Sequence, residues 1–308
     1  MTRIRRWVIG SSIAVTGFFG LVEVLAGMNV RRERDARRAL GDRLYVESLG
    51  TRDPIVFIAG LQASTRYWGS TFDPLGSSHR LLFVDMLGFG RSPWPDVDYG
   101  LDVQLEWLRR TLVAKGATHD VILVGHSFGA IIAAHYAARY PDDIRHVYLL
   151  GTPVYDSVDE ARERIHDMSH LAALFALNPF LAREGCMGVC AFRPLWRVTL
   201  PYLRPDLPPE VAIDGVSHHW ASIHGSIQHI LLRTRVADAV KQIGRKVTFL
   251  HGRSDDVTAI GKVRGLAAAT GATVIETPGG HHGYRTPLLR ILATDPAVGR
   301  LRRQPVTE

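Results

Sequence analysis

The 308-residue chain has little cysteine, since Cys186 and Cys190 are its only two. Two cysteines are too few for a small scaffold held together by several disulfides. At a spacing of four residues they would share one face of a helix, and we expect two small buried side chains there. A disulfide between the two cysteines is the alternative if this part of the chain faces an oxidising compartment. Zinc is not expected, because no second pair of ligands lies nearby. We expect no metal and no cofactor.

Lysine is scarce as well, with four lysines among the 37 basic residues and a formal net charge of +7. A nucleic-acid-binding surface is typically a clustered basic stripe with aromatic side chains between the charges. Here the arginines are scattered, except at residues 31–38, and no such stripe is present. We therefore expect no nucleic-acid partner.

Internal repeats and low-complexity tracts are also missing, and the composition, 46% hydrophobic and 22% charged, is ordinary for a globular protein. Apolar strands alternate with helical segments, which predicts an α/β fold with a mostly parallel sheet flanked by helices. We predict a hydrophobic segment with a basic flank at residues 1–40. The core would consist of two parts, residues 41–155 and residues 245–308, and the second part would end in a polar tail. A helical cap at 156–244 would be inserted before the last two strands.

The main functional signal is a Gly-x-Ser-x-Gly pattern formed by Gly125, Ser127 and Gly129. It follows an apolar run at 121–124 and precedes a helical segment at 130–138. A strand, a sharp turn and a helix with serine at the apex expose a nucleophilic hydroxyl. The glycines suit a turn in which a side chain would collide with its neighbours. The five-residue pattern alone is weak, so its context decides.

A nucleophilic serine needs a base, and the base needs a group that orients it. Asp255 follows a predicted strand at 247–251, and His281 lies in a glycine-rich loop after a predicted strand at 272–276. Sites in open α/β sheets form at the carboxyl ends of the strands, where both residues fall. The order serine, acid, histidine is the order that this type of elbow requires.

These assignments have alternatives. Asp256 is adjacent to Asp255, and Asp156, after a predicted strand at 146–150, is a more remote candidate for the acid. His282 is adjacent to His281 and is the alternative base. If they are not part of the triad, we expect Asp256 and His282 to support it or to be exposed to solvent.

Taken together, these motifs resemble the serine hydrolases of the α/β-hydrolase superfamily, with an esterase-like or lipase-like pattern. Residues 55–61 resemble the family's strand that ends in His-Gly, with Ala59 in place of the histidine. Residues 81–92 are close to its Asp-x-x-Gly-x-Gly-x-Ser turn, and Trp68 stands where the family often has an aromatic residue. The resemblance covers residues 43–293 apart from the insertion.

The resemblance implies roles for five residues. Ser127 would attack an acyl carbon, and His281 would take its proton and later deliver it to the leaving group. Asp255 would orient the imidazole and stabilise its protonated form. The backbone N–H groups of Leu61 and Phe128 would form the oxyanion hole.

The implied reaction is hydrolysis of a carboxylic ester of a small-to-medium apolar substrate through an acyl-enzyme. Serine at the elbow argues against haloalkane or epoxide chemistry, which uses aspartate there. The same triad also supports hydrolysis of carbon–carbon bonds, cleavage of amides or peptides, and acyl transfer. A non-catalytic binding protein is a more remote alternative.

The insertion at 156–244 resembles a helical cap that roofs the serine and determines what enters. Four of its histidines lie close together in the sequence, at positions 218, 219, 224 and 229. Their spacing does not put three on one helical face together with a carboxylate. We therefore expect surface or lining histidines there and no metal site.

Near the amino terminus, residues 7–30 are largely apolar and follow three arginines. As a helix this stretch would be about 36 Å long, which is enough for a bilayer core. Glu23 is a costly residue in such a span, although it lies in the last third. We predict membrane association through a single-pass anchor. A secretory signal cleaved near residues 24–26, or an amphipathic helix packed on the domain, are the alternatives.

Overall fold

The computed structural model describes residues 3–168, 178–205 and 207–294, with side chains from residue 17 onward. Seven strands form one sheet in the order β1-β3-β2-β4-β5-β6-β7. The strands are β1 (Val46–Leu49), β2 (Pro54–Ile58), β3 (Arg80–Val84), β4 (Val121–His126), β5 (Ile144–Leu150), β6 (Val247–Gly252) and β7 (Thr273–Thr277). Strand β1 pairs antiparallel with β3, and the other pairs are parallel. The predicted α/β-hydrolase fold is confirmed; β1 is the strand that the sequence did not reveal.

Helices cover both faces of this sheet. The described helices are α1 (Arg3–Arg37), α2 (Leu101–Ala114), α3 (Phe128–Arg139), α4 (Val158–Met168), α5 (Pro179–Ala191), α6 (Arg193–Leu203), α7 (Pro209–Asp214), α8 (Trp220–Gly225), α9 (Val236–Ile243), α10 (Ile260–Thr270) and α11 (Arg285–Thr294). A π-helical turn lies at Ser226–Leu231. The predicted polar tail at 295–308 falls outside the described residues.

The sheet has a hydrophobic layer on each side. Helices α2, α3, α9 and α10 pack against one face, where Leu108, Ile132 and Val240 are fully buried. Helix α11 and the turns that follow β2 pack against the other face, with Trp68 and Leu288 fully buried. Because both faces are covered, β2 and β4 are buried along their whole length and show no polar alternation.

The segment between β5 and β6, residues 156–244 (the inserted segment), consists of helices joined by short turns in its described part. It contains α4 to α9 and the π-helical turn. Residues 169–177 of the predicted cap lie outside the described residues. The division of the chain into domains stays a prediction.

The second half of α1 packs on the inserted segment. Val22 and Ala26 are buried against Cys186 and Cys190 of α5. The Asn29 side-chain amide donates a hydrogen bond to the carbonyl of Cys190 at 3.1 Å. Both cysteines are buried, as expected, and free. Residues 22–37 therefore share a hydrophobic and polar contact with the inserted segment.

We predicted a transmembrane anchor at residues 7–30. Within the described part of the chain, no helix is both long enough and apolar enough to cross a membrane. Membrane association through these residues stays a prediction.

Candidate active site

The turn at Ser127 has the geometry that its flanking glycines imply. Strand β4 ends at His126, Ser127 has φ +53° and ψ −118°, and α3 begins at the next residue. A Cβ on Gly125 would lie 2.4 Å from the carbonyl oxygen of Gly129, and one on Gly129 would lie 2.3 Å from that of Ile58. Neither position has room for a side chain, so the glycines let strand and helix approach closely. The predicted strand, turn and helix are confirmed.

The predicted acid and base are in direct contact. Nδ1 of His281 lies 2.9 Å from Oδ2 of Asp255. The Asp255 side chain is fully buried, whereas that of His281 is slightly exposed. Asp255 follows β6, His281 follows β7 and Ser127 follows β4, so the three lie past the carboxyl ends of parallel strands.

Asp255 accepts further hydrogen bonds that hold its carboxylate in place. The Tyr284 hydroxyl donates to Oδ2 at 2.6 Å, and the backbone N–H groups of Val257 and Thr258 donate to Oδ1 at 2.9 and 3.2 Å. Burial alone would raise the pKa of Asp255, but the bonds from His281 and Tyr284 outweigh it and lower the pKa well below the usual range. The group is therefore an acceptor at neutral pH, which is what a charged partner of the imidazole must be.

The alternative residues have other surroundings. Asp256 is exposed to solvent. Asp156 is exposed as well and forms an ion pair with Lys262. His282 lines the cavity described below and lies near the ring of Tyr67, with 6.1 Å between the ring centroids. Asp255 and His281 are in hydrogen-bond contact with each other.

Ser127 and His281 line the same cavity, together with Leu61 and Phe128. Among the described side chains, the Ser127 hydroxyl makes no hydrogen bond with the imidazole. Catalytic hydrogen bonds of this kind are often loose before substrate binds. Because Nδ1 of His281 is engaged by Asp255, Nε2 is the ring atom left to act on the serine.

The two residues predicted to donate backbone N–H groups to the oxyanion lie at tight backbone turns. Phe128 is the first residue of α3, so its N–H has no carbonyl one helical turn earlier and points out of the helix. Leu61 occupies a turn closed by a hydrogen bond from the Ala63 N–H to the Gly60 carbonyl at 3.1 Å. The next residue, Gln62, has φ +62°. Both residues line the cavity that Ser127 also lines.

The cavity has a volume of about 400 Å³ and is largely apolar. Its floor consists of the residues just described, and its walls come mainly from the inserted segment. The apolar wall residues include Ile165, Val189, Leu200, Leu207, Val211 and Leu231.

A larger and more open depression, about 820 Å³, lies elsewhere, beside Glu47, Arg66 and Arg285. It contains none of the five predicted site residues. The smaller cavity is therefore the one associated with the candidate chemistry.

Two neighbours of the site were missed by sequence reasoning. His126, directly before the nucleophile, donates from Nε2 to the carbonyl of His281 at 2.7 Å and stacks on Tyr67 at 4.7 Å between ring centroids. Burial, together with the nearby His281 and His282, lowers the pKa of His126 well below its usual value, so the ring is neutral. Tyr284, which binds Asp255, lies three residues after His281. The only local feature of the sequence that could have drawn attention to Tyr284 is its position shortly after two adjacent histidines.

A metal ion would be bound by a cluster of histidine, cysteine or acidic side chains. Among the described residues, no group of three or more such side chains could hold an ion. His218 and His219 are buried and hydrogen-bonded within the protein, and His218 lines the cavity. The Sγ atoms of the two cysteines lie 3.9 Å apart without a disulfide.

Comparison with known proteins agrees with the fold. Residues 53–186 match the family model of the α/β-hydrolase fold. A probable lysophospholipase, BODYGUARD 3 of Arabidopsis thaliana, is 27% identical over 235 residues, which are 68% of this chain and 47% of that protein. A haloalkane dehalogenase of Agrobacterium fabrum is 33% identical over 121 residues, 39% of each chain. This chain spans about half the length, or less, of the curated relatives from Arabidopsis that it matches.

Solved structures extend the likeness to most of the chain. The enol-lactonase from Burkholderia xenovorans superposes with a TM-score of 0.63 at 18% identity, covering 81% of this chain and 95% of that one. An identity this low shows the fold alone. The α/β-hydrolase fold that the sequence motifs indicated is thereby confirmed.

Proposed function

We propose that this chain, which has the α/β-hydrolase fold, is a serine hydrolase that cleaves carboxylic esters of apolar substrates through an acyl-enzyme. The observation that carries the proposal is the 2.9 Å contact between His281 Nδ1 and the buried Asp255 carboxylate, at a cavity that Ser127 also lines. An oriented imidazole beside an elbow serine is the minimum that nucleophilic acyl transfer requires.

In the first half of the reaction, Nε2 of His281 takes the proton of the Ser127 hydroxyl while Oγ attacks the ester carbon. The carbonyl oxygen becomes an oxyanion and accepts hydrogen bonds from the Leu61 and Phe128 N–H groups. Asp255 stabilises the imidazolium without itself taking the proton. Collapse of the tetrahedral intermediate breaks the carbon–oxygen bond, and the alcohol leaves with the proton from His281.

In the second half, water replaces the alcohol. His281 takes a proton from the water, the hydroxide attacks the acyl carbon, and Ser127 regains its proton as the acid leaves. Each oxyanion-hole donor in such a cycle typically contributes about 2.7–4 kcal/mol of transition-state stabilisation. The placement of the Leu61 and Phe128 amides therefore matters as much as the triad.

The cavity supports an apolar group of limited size as the substrate. At about 400 Å³ it falls near the lower end of small-molecule pockets, which range from about 300 to 1,000 Å³. The inserted segment supplies the apolar walls, and we propose that it acts as a cap that selects the acyl chain. Lysophospholipids, the class in the Arabidopsis relative's name, also contain an acyl ester, so one belongs in the test set.

The proposal is tested with p-nitrophenyl esters of increasing acyl length and one lysophospholipid. Leu200 lines the cavity, so Leu200→Trp should shift the preference towards shorter chains. Val198 lies on the same helix with 66% of its surface exposed, and Val198→Trp is the matched control that should leave the preference unchanged. If Ser127 reacts with a fluorophosphonate but no ester of any length turns over, amide cleavage, carbon–carbon bond hydrolysis or acyl transfer is favoured instead.

A further inference from the structure

We propose that Glu33 of helix α1 and Arg193 of helix α6 position the oxyanion-hole turn at Leu61, through the contact between His218 of the inserted segment and Gln62. The inference rests on the proposed function, because Leu61 matters to catalysis only if its N–H binds an oxyanion. Its structural part can be measured without any substrate.

The turn at residues 60–63 contains a residue that does not suit its backbone. The hydrogen bond from Ala63 to Gly60 defines a four-residue turn, and its third position, Gln62, has φ +62°. Glycine or asparagine is favoured there, because other side chains are strained at positive φ. Such strained residues persist where the surrounding structure holds them. The Gln62 side chain is the group through which this turn is held.

Gln62 reaches across the cavity to the inserted segment. Its side-chain Nε2 lies 3.2 Å from Nδ1 of His218. The same Nδ1 is 2.7 Å from the carbonyl oxygen of Gly215, so it carries a hydrogen and donates to that oxygen. An amide NH₂ facing this N–H would set donor against donor. The nitrogen and oxygen of an amide are nearly isosteric, so we assign the Gln62 amide with its ends exchanged, and its oxygen accepts from the same N–H. Burial lowers the pKa of His218 to about 4, which keeps the ring neutral near pH 7.

Arg193 fixes the backbone that carries His218. Its guanidinium is buried and donates from Nε to the carbonyl of Val216 and from Nη2 to the carbonyl of His218, both at 2.9 Å. The guanidinium also lies over the ring of Trp94, 5.1 Å from its centroid. The Arg193 side chain thus ties residues 216–218 to one position.

A buried guanidinium needs a counter-charge, and α1 supplies it. Oε1 of Glu33 lies 3.3 Å from Nη1 of Arg193. Burial alone would raise the pKa of Glu33, but Arg37 and Arg193 outweigh it and lower the pKa below its usual value. The carboxylate is therefore charged at neutral pH, and removing its charge would leave Arg193 without an ionic partner among the described residues.

The proposed series of contacts, called the positioning route below, runs from Glu33 to Arg193, to His218, to Gln62 and then to the adjacent Leu61 N–H. A positioning residue on this route affects an interaction that is strongest in the transition state. Its loss should lower kcat and leave KM nearly unchanged. A loss of substrate binding would instead raise KM.

Gln62→Gly separates positioning from turn formation. Glycine adopts φ +62° without strain but cannot reach His218. We expect kcat on the best p-nitrophenyl ester to fall about 10- to 100-fold, with KM within about threefold, because a small misplacement of such a group costs up to about 10²-fold. An unchanged kcat, or a higher KM at constant kcat, would overturn the proposal.

Glu33→Gln tests the remote end of the route. We expect a smaller fall in kcat, about 3- to 10-fold, and the double variant with Gln62→Gly should be no slower than Gln62→Gly alone, because both act through one contact. Glu23→Gln is the matched control: Glu23 lies on the same helix, and its pair with Arg183 is half-exposed at 2.7 Å. Additive losses, or equal losses in both glutamate variants, would contradict the route.

Amide hydrogen exchange over residues 60–63 supplies a readout that needs no catalysis. Exchange should be faster in Glu33→Gln than in the wild-type protein and unchanged in Glu23→Gln. If esters are not substrates but exchange responds in this way, the positioning route holds and the proposed function fails. If esters are hydrolysed and the exchange does not respond, the route is wrong.

Discussion

Replacing Asp255 with asparagine should disable the chain with little change in shape. The carboxylate accepts four hydrogen bonds, two at each oxygen. In Asp255→Asn, the amide oxygen can keep the two backbone donors at Val257 and Thr258. The amide NH₂ must then face Tyr284 and His281 in place of Oδ2.

The Asp255→Asn substitution changes the tautomer of His281. An NH₂ group at that place donates to Nδ1, which moves the ring hydrogen to Nε2, the atom that must accept the serine proton. The imidazolium also loses its counter-charge. In a serine triad this change typically lowers kcat about 10⁴-fold, which corresponds to about 5.4 kcal/mol in the activation free energy.

The assay is the initial rate of p-nitrophenyl ester hydrolysis at pH 7 to 8, with Tm measured in parallel. Asp256→Asn is the matched control, since Asp256 is adjacent in sequence and exposed, and its rate should stay within about twofold of the wild-type rate. If Asp255→Asn keeps more than a tenth of the wild-type kcat while Asp256→Asn loses activity, the assignment of the acid is wrong.

Three further changes test the surroundings of the site. Gly129→Ala should lower Tm by several degrees or prevent folding, because its Cβ would lie 2.3 Å from a backbone oxygen, whereas Gly261→Ala meets nothing within 4 Å and should be neutral or stabilising. His126→Phe keeps the ring packing but removes the bond to the His281 carbonyl, so kcat should fall about tenfold and urea unfolding should show a loss of about 1–2 kcal/mol; wild-type values in both assays would refute this role. His218 has a folded-state pKa of about 4, below the ordinary value near 6.5, so the stability it confers is complete above about pH 6.5 and is lost as the pH falls towards 4. Between pH 7 and 5 the wild type should therefore lose about 2 kcal/mol more stability than His218→Gln, as measured by urea unfolding, and equal losses would contradict it.

The sequence allowed prediction wherever a local pattern has one structural solution. Gly125 and Gly129 around Ser127 define the elbow because no side chain fits in that turn. The apolar runs of the parallel strands are readable because both faces of the sheet are covered. Positions just past strand ends pointed to Asp255 and His281 but did not separate them from the adjacent Asp256 and His282.

The contacts that sequence reasoning missed join residues far apart along the chain. Tyr284 reaches Asp255 across 29 positions, and Gln62 reaches His218 across 156. Such contacts depend on how distant parts of the chain pack together, and no periodicity encodes them. The same holds for α1, whose apolar residues indicated a span, while Val22 and Ala26 pack on the inserted segment.

The central claim is that Ser127 is the reactive nucleophile of this fold. Intact-protein mass spectrometry after treatment with a fluorophosphonate, followed by peptide mapping, tests it most directly. We expect one adduct per wild-type chain, on the peptide that contains Ser127, and none on Ser127→Ala. An adduct that persists on Ser127→Ala, or no adduct on the folded wild-type protein, would contradict the account.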